Sequence, residues 1–93
     1  MLEKELERKL VKRISAAGGE CYKWVSPGTT GGPDRIVRAP GGRICFVEMK
    51  APGKKERPRQ RVVQQKLRSL GFTVFSAVDS EVRIDEVVEW ARG

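Results

Sequence analysis

The chain has 93 residues, which is enough for one small domain, and we expect a single domain over 1–93. Nineteen Lys and Arg against twelve Asp and Glu give a formal net charge of +7, which indicates a polyanionic partner. The absence of histidine excludes an imidazole base and imidazole metal ligands, so any metal must be bound by oxygen. The charged start and the lack of a long apolar stretch predict a soluble cytoplasmic protein.

Residues 2–17 predict an amphipathic first helix, which Gly18 and Gly19 end. Two acidic residues, Glu3 and Glu7, border its apolar stripe, so one of them is a candidate metal ligand. The alternative for each is a surface position in a Glu–Lys helix. The apolar stripe consists of Leu2, Leu6, Leu10, Ile14 and Ala17.

Residues 20–25 alternate loosely and predict the first strand, which ends at Ser26-Pro27-Gly28. A polar loop follows over residues 29–32. Backbone N–H groups of such a loop can approach phosphates, and Lys23 lies close by in the sequence, so both are candidate substrate contacts. A simple connection between two strands is the alternative for the loop.

Two apolar strands joined by Pro40-Gly41-Gly42 predict a β-hairpin. If the turn centres on Gly41, residues whose numbers add up to 82 face each other, and Asp34 then faces Glu48. A four-residue turn would instead offset the two acids by one place. Lys50 follows Glu48 by two residues and therefore projects from the same face of the strand.

Directly opposed carboxylates repel each other, so Asp34 and Glu48 need a compensating charge. A hard cation such as Mg²⁺ held between them would supply it, since such cations use carboxylates together with water and substrate phosphate. With Lys50 on the same spot, the cluster suits phosphodiester hydrolysis. The alternative is an ordinary hairpin with a charged end.

Five basic residues follow this predicted site within eight positions, which indicates phosphate binding close to it. A solvated linker is the alternative. The five are Lys54, Lys55, Arg57, Arg59 and Arg61.

Residues 59–70 predict a second helix whose apolar stripe includes Val63, Leu67 and Leu70. Gln60 and Gln64 fall on the same stripe, where a buried amide needs a polar partner. Gln60 is the candidate for contact with metal-bound water or phosphate. A glutamine bonded to backbone is the alternative for both.

Residues 72–78 predict a buried strand, and Asp79-Ser80 caps a last helix. That helix has a stripe of Ile84, Val87, Val88 and Ala91, and Trp90 is expected to pack or to contact another subunit. The order is helix, three strands, helix, strand, helix. Because both faces of the hairpin are largely apolar, helices should cover both sides of the sheet, which indicates an α/β layered domain. Cys21 and Cys45 are expected to be reduced core residues.

With this order of elements, the run from Gly32-Pro33-Asp34-Arg35 to Glu48-Met49-Lys50-Ala51-Pro52-Gly53, together with Ser26-Pro27-Gly28, resembles the VRR-NUC family in its minimal stand-alone form. That family belongs to the PD-(D/E)XK nuclease superfamily. The resemblance implies an α/β, restriction-endonuclease-like αβββαβα core with a mixed sheet, and a Mg²⁺- or Mn²⁺-dependent endonuclease. It implies that Asp34, Glu48 and Glu3 bind metal, that Lys50 assists, and that Gln60 is the glutamine following the catalytic strand.

Small relatives in this family are similar to Holliday junction resolvases, so the resemblance also implies a homodimer acting on branched DNA in a bacterial cell or a phage-infected host. Two other functions remain open on the sequence. One is a non-catalytic nucleic-acid-binding module, and the other is a monomeric flap or nick nuclease. A sequence-specific restriction-type nuclease is disfavoured, because the chain has no spare segment for base readout.

Overall fold

The computed structural model describes residues 2–25, 28 and 30–93. Its elements follow the order αβββαβα, which confirms the predicted α/β class. The predictions for Ser26, Pro27 and Thr29 lie outside the described residues. The elements are α1 (Glu3–Ala16), β1 (Glu20–Lys23), β2 (Arg35–Ala39), β3 (Arg43–Met49), α2 (Pro58–Ser69), β4 (Thr73–Val78) and α3 (Glu81–Arg92).

The four strands form one mixed sheet in the order β1-β2-β3-β4. The first three strands are antiparallel neighbours, while β4 returns through α2 to lie parallel to β3. In the hairpin the residue numbers of every pair add up to 82, from Arg35 opposite Val47 to Ala39 opposite Arg43. The predicted register is therefore confirmed. Gly41 and Gly42 both have positive φ, the conformation that a tight turn with the strand twist requires.

One face of the sheet packs against α1 and α3 and forms the main core. The odd-numbered residues of β1, β2 and β3 point to this face, and Val78 of β4 joins them after a register shift. Leu6, Leu10 and Ile14 of the predicted α1 stripe are fully buried here, whereas Leu2 is 69% exposed and Ala17 is only partly buried. The predicted stripe of α3 is confirmed at all four positions. The strand residues of this core are Cys21, Val37, Ala39, Cys45, Val47, Met49 and Val78.

The cysteines in this core are unbonded thiols, as predicted. Burial raises the pKa of Cys21 to about 11 and that of Cys45 to about 12, so neither is a thiolate at neutral pH. Both behave as small apolar residues.

The opposite face of the sheet is covered by α2 over β4 and part of β3, so helices flank both sides as predicted. The predicted apolar stripe of α2 is wrong in one respect. Leu70 is 68% exposed, whereas Gln64 is the one residue of α2 that is fully buried. Leu70 is the C-cap beyond the last residue of α2, so the buried stripe ends before it, and the predicted place of Gln64 on that stripe is confirmed.

Beyond the edge of α2, the same face carries a row of aromatic rings. Phe46 makes edge-to-face contacts with Trp24 and Phe72, at centroid distances of 5.5 and 5.4 Å. Phe72 and Ile44 remain about two-fifths exposed. This surface, defined by Tyr22, Ile44 and Phe72, is called the open sheet face below.

The helix ends are closed by local hydrogen bonds. The Ser80 hydroxyl accepts from the N–H of Arg83 at the start of α3. At the end of α3, the Arg43 guanidinium donates to the carbonyls of Trp90 and Ala91, at 2.6 and 2.9 Å, and stacks on the Trp90 ring. Trp90 is thus packed within the subunit. No helix in the described part of the chain is both long and apolar enough to cross a membrane.

Candidate active site

Asp34 lies immediately before Arg35, the first residue of β2, which pairs with Val47 across the hairpin. Its N–H donates to the carbonyl of Val47 at 3.2 Å, and its own carbonyl accepts from Trp24 at 2.9 Å. The side-chain Oδ1 accepts from the N–H of Met49 at 3.1 Å. The carboxylate is therefore fixed against the last residue of β3, beside the position of Glu48.

Glu48 is 1% exposed, which is unusual for a carboxylate. Its Oε1 accepts two hydrogen bonds, from Gln64 Nε2 at 2.9 Å and from the Ala77 N–H at 3.1 Å. Its Oε2 is buried and accepts no hydrogen bond from the residues that the structure describes. The Lys50 ammonium stands 3.5 Å from Oε2, which confirms that Glu48 and Lys50 converge. One oxygen is thus held by the protein while the other stays available as an acceptor.

A bulge between β3 and β4 supplies one of these donors. Val47 pairs with Phe75 and Met49 pairs with Val78, so two residues of β4 stand against the single residue Glu48. Ala77 takes a left-handed conformation there, with φ of 49°, which costs energy for any residue with a Cβ. In that conformation its N–H points at the Glu48 carboxylate.

Gln64 is fixed in turn by groups of β4 and α2. Its Oε1 accepts from the Ser76 hydroxyl, and Ser76 Oγ accepts from Arg68 Nη2 at 2.7 Å. Arg68 also donates to the Val74 carbonyl at 3.0 Å. The chain from Arg68 through Ser76 and Gln64 orients the amide so that its N–H group, and not its oxygen, meets Glu48.

Burial raises the pKa of Asp34 from 3.8 to about 6. The hydrogen bond from Met49 works against this rise, whereas the carboxylates of Glu7, Glu3 and Glu48 add to it. Four acidic groups therefore share one region, and the charged form of Asp34 is held at a cost that a bound cation would remove.

Neither acidic residue of α1 completes a ligand set by itself. Glu7 Oε1 accepts from Arg35 Nε at 3.3 Å, a half-buried ion pair next to Asp34. Glu3 lies near enough to influence the pKa of Asp34, but the described residues contain no group of three or more acidic, Cys or His side chains placed to hold a metal ion. Glu3 is thus near the pair and is not brought into a three-carboxylate cluster.

The residues present nevertheless suit a divalent cation. A buried carboxylate oxygen without a hydrogen-bond partner is costly unless something binds it, and Glu48 Oε2 is such an atom. The donors are carboxylates, the ligands that Mg²⁺ and Mn²⁺ prefer. Asp34 and Glu48 are the residues that would hold the ion.

Gln60 occupies a different place from Gln64. Its Oε1 accepts from the N–H of Arg57 at 2.8 Å and so closes the start of α2. The sequence singled out Gln60 for the site, but the structure brings Gln64 to Glu48. The spacing of the two glutamines contained the signal for Gln64, while Ser76 and Ala77 gave no sequence signal at all.

The predicted basic run lies on the loop before α2 and on its first turn. Its members are exposed, and Arg59 Nε donates to the Thr30 carbonyl at 3.2 Å. A Cβ on Gly31 would stand 2.9 Å from Arg59 Cγ, so glycine is needed for this close approach. The run is thus fastened to the loop that precedes Asp34. Lys23 is exposed on the other side, toward α1.

The fold and the buried pair with its lysine define a nuclease of restriction-endonuclease-like architecture. No family model matches the chain. A solved structure of a VRR_NUC domain is 32% identical, covers 94% of both chains and superposes with a TM-score of 0.83. The protein called "Putative nuclease p44" of Acyrthosiphon pisum secondary endosymbiont phage 1 is 46% identical over 79 residues, 85% of this chain and 84% of that protein. The chain therefore belongs to the VRR-NUC family of nucleases.

Proposed function

We propose that the protein is a Mg²⁺- or Mn²⁺-dependent endonuclease that cleaves branched DNA. The observation that carries this proposal is the asymmetry of Glu48. Its Oε1 is held by two donors, while the buried Oε2 accepts no hydrogen bond from the described residues and has the Lys50 ammonium at 3.5 Å. A non-catalytic binding module would gain nothing from such an oxygen, because a carboxylate facing a polyanion weakens binding.

The roles follow from the contacts. A bound divalent cation would polarise the scissile phosphate and lower the pKa of the attacking water. Asp34 and Glu48 hold that ion, and Gln64 and the Ala77 N–H keep Glu48 from turning away. The Lys50 ammonium stabilises the negative charge that builds up on the phosphoryl oxygens. Glu3 remains a proposed metal ligand, and Gln60 remains a proposed contact to metal-bound water or phosphate.

Branched DNA and a homodimer are proposed together. A four-way branch offers two equivalent strands, which a two-fold symmetric pair of subunits with two sites would match. The open sheet face is the proposed contact, because its apolar residues Ile44 and Phe72 are exposed in the single subunit. Trp90, which the sequence offered for a subunit contact, is a poorer candidate, since it packs against Phe75 and Arg43 of its own subunit.

The test of the activity is a cleavage assay on linear, nicked, flap and four-way DNA, with Mg²⁺, with Mn²⁺ and with chelator. We expect metal-dependent cuts within the four-way junction. Cleavage that persists in chelator contradicts the metal site, and cleavage confined to flaps or nicks favours the monomeric nuclease instead. Binding without cleavage under any metal favours the binding module.

The test of the dimer is light scattering over a dilution series. Wild type should give twice the 10.4 kDa mass of one chain. Phe72→Arg should dissociate it, while Val82→Arg, at an exposed apolar residue of α3, should not. A wild-type particle that remains a monomer even with junction DNA contradicts the symmetric arrangement.

A further inference from the structure

A groove outside the carboxylate site runs between α1 and the first two strands. Its volume is about 480 Å³, and Val11 supplies an apolar part of its wall. The other lining side chains are charged, and five of the six are basic. They are Lys4, Glu7, Arg8, Lys12, Lys23 and Arg35.

Two rows of basic residues run along the surface of α1, and only one of them forms ion pairs among the described residues. Lys9 and Arg13 turn toward α3, where they form ion pairs with Glu81 and Asp85. The other row, called the groove row here, has no ion pair within the described part of the chain. The groove row consists of Lys4, Arg8 and Lys12, all exposed.

The opposite wall adds one more unpaired cation. Arg35 is matched by Glu7, but Lys23 on β1 has no acidic partner among the described residues. The groove therefore presents four uncompensated positive charges over a short surface. Charges left unpaired in this way attract a polyanion more strongly than paired ones do.

The arrangement suits a phosphodiester strand better than a small anion. Residues four apart on a helix are separated by about 6 Å along its axis, so the groove row extends over about 12 Å. One strand of duplex DNA carries about four phosphates over that length, at about 3.4 Å each. The cations are thus spread in a line and do not converge on one point.

The position of the groove relates it to the cleavage site without making it part of that site. Arg35 follows Asp34 directly, so the groove opens beside the carboxylates. It lies on the α1 side of the sheet, whereas the basic run with Lys54 and Lys55 precedes α2, which covers the opposite side. Cationic surfaces therefore flank the carboxylate pair on both sides.

We propose that this groove binds a second stretch of the DNA backbone, separate from the phosphates at the point of cleavage. The inference rests on the proposed function for the identity of the ligand. A substrate held on both sides of the cut would have to present two backbones to one subunit, as two strands or two arms of a branch do.

The test compares two double variants of the same helix. Arg8→Gln with Lys12→Gln removes two charges of the groove row, and Lys9→Gln with Arg13→Gln removes two from the paired row. Binding of a labelled four-way junction is measured by fluorescence anisotropy over a salt series, in chelator, so that cleavage plays no part. Circular dichroism and the melting midpoint check that both variants fold.

A plot of log binding constant against log salt concentration has a negative slope, and each phosphate contact contributes about 0.9 to its steepness. The slope of the groove variant should therefore be about 1.8 shallower than that of wild type. Its affinity should fall by tens of fold, while the paired-row variant keeps the wild-type slope. Lys23→Gln should remove a further 0.9 from the opposite wall. Equal losses in both doubles, or no loss in either, overturn the proposal.

The same experiment separates this inference from the proposed activity. If the groove variant loses its slope and wild type cleaves nothing with any metal, the groove stands and the nuclease mechanism fails. If wild type cleaves and the groove variant binds and cleaves as wild type does, the mechanism stands and the groove proposal fails.

Discussion

Gln64 Nε2 donates to Glu48 Oε1 at 2.9 Å, and both side chains are almost completely buried. The amide carries no charge, so only the Lys50 ammonium, 3.5 Å from Oε2, faces the negative charge of Glu48. The pairing therefore holds the geometry of Glu48 without cancelling the charge that a cation would bind. Gln64 acts on the site through Glu48 and is a positioning residue.

Gln64→Leu should show whether Gln64 positions Glu48 for a metal ion or only stabilises the fold. Removing the amide leaves Ser76 Oγ and Glu48 each short of a partner, which should cost about 1–3 kcal/mol of unfolding free energy in urea denaturation. It should also raise the metal concentration needed for half-maximal cleavage, because Glu48 is no longer held. Gln65→Leu, at the exposed neighbouring position, is the control and should change neither. A loss of stability with an unchanged metal requirement would show that Gln64 is only structural.

The contrast between the two glutamines shows how far sequence can predict this site. The hairpin register was predictable, because the glycine turn and the alternation of side chains admit few pairings. Which glutamine reaches Glu48 was not, since Gln60 and Gln64 both lie on the predicted stripe of α2. Gln60 is used to close the start of the helix at Arg57, which leaves Gln64 for Glu48.

The bulge opposite Glu48 was also beyond the sequence. A left-handed residue is usually marked by glycine, but Ala77 stands at this position within a run of apolar strand residues. Nothing in the pattern over 73–78 distinguishes a bulged strand from a regular one. Such local strain near functional groups becomes visible only once the strands are paired.

Substitutions of Ala77 should reveal this strain. The left-handed conformation costs a residue with a Cβ about 1–2 kcal/mol, whereas glycine adopts it freely. Ala77→Gly should therefore raise the unfolding free energy by about 0.5–1 kcal/mol and keep activity, after allowing for the added freedom of the unfolded chain. Ala77→Val should destabilise, because a β-branched residue tolerates this conformation worst. Urea denaturation measures both, and a destabilised glycine variant would contradict the assigned backbone conformation.

The stability of the metal-free protein should fall as pH rises. The Asp34 pKa is about 6 in the folded chain and 3.8 in the unfolded one, so between these values the folded state binds the extra proton. The contribution of this protonation of Asp34 to the stability of the folded state is fully present below about pH 4 and is lost as pH rises through 6. Screening by solvent reduces it to about 1–2 kcal/mol.

Asp34→Asn removes this dependence and should make the metal-free protein more stable than wild type at neutral pH. Thermal unfolding in chelator, measured at pH 5 and pH 7, compares the two. Asp85→Asn, on the exposed surface of α3, is the control and should retain the wild-type pH profile. Identical pH profiles for wild type and Asp34→Asn would mean that folding does not raise the pKa of the Asp34 carboxyl.

Removing the charged groups of the site should affect catalysis in different ways. Asp34→Ala or Glu48→Ala should abolish cleavage, because each removes a proposed metal ligand. DNA binding should be preserved, because the carboxylates repel the DNA backbone when no cation is bound. Lys50→Ala should lower the rate by about 10²–10³, the usual cost of losing one group that stabilises transition-state charge. Lys66→Ala is the matched control, since it removes an exposed lysine of α2 that lies outside the basic run. Single-turnover cleavage distinguishes these effects from changes in binding.

The basic run before α2 should make its own contribution to the salt dependence of binding. Neutralising Lys54, Lys55 and Arg57 together with Gln should reduce the log–log slope by up to about 2.7, since each lost phosphate contact contributes about 0.9. The close approach of Arg59 to Gly31 fastens the basic run to the loop that precedes Asp34, so its cations lie close to the proposed cleavage site.

The control for the basic run removes the same charge elsewhere, from three cations that already have acidic partners. Lys9→Gln, Arg13→Gln and Arg92→Gln lose ion pairs with Glu81, Asp85 and Glu89 and should leave the slope unchanged. If both triple variants reduce the slope equally, binding responds to net charge alone. If the basic-run variant leaves the slope unchanged, the segment is a linker, and the phosphates at the cut would be held only by the metal and Lys50.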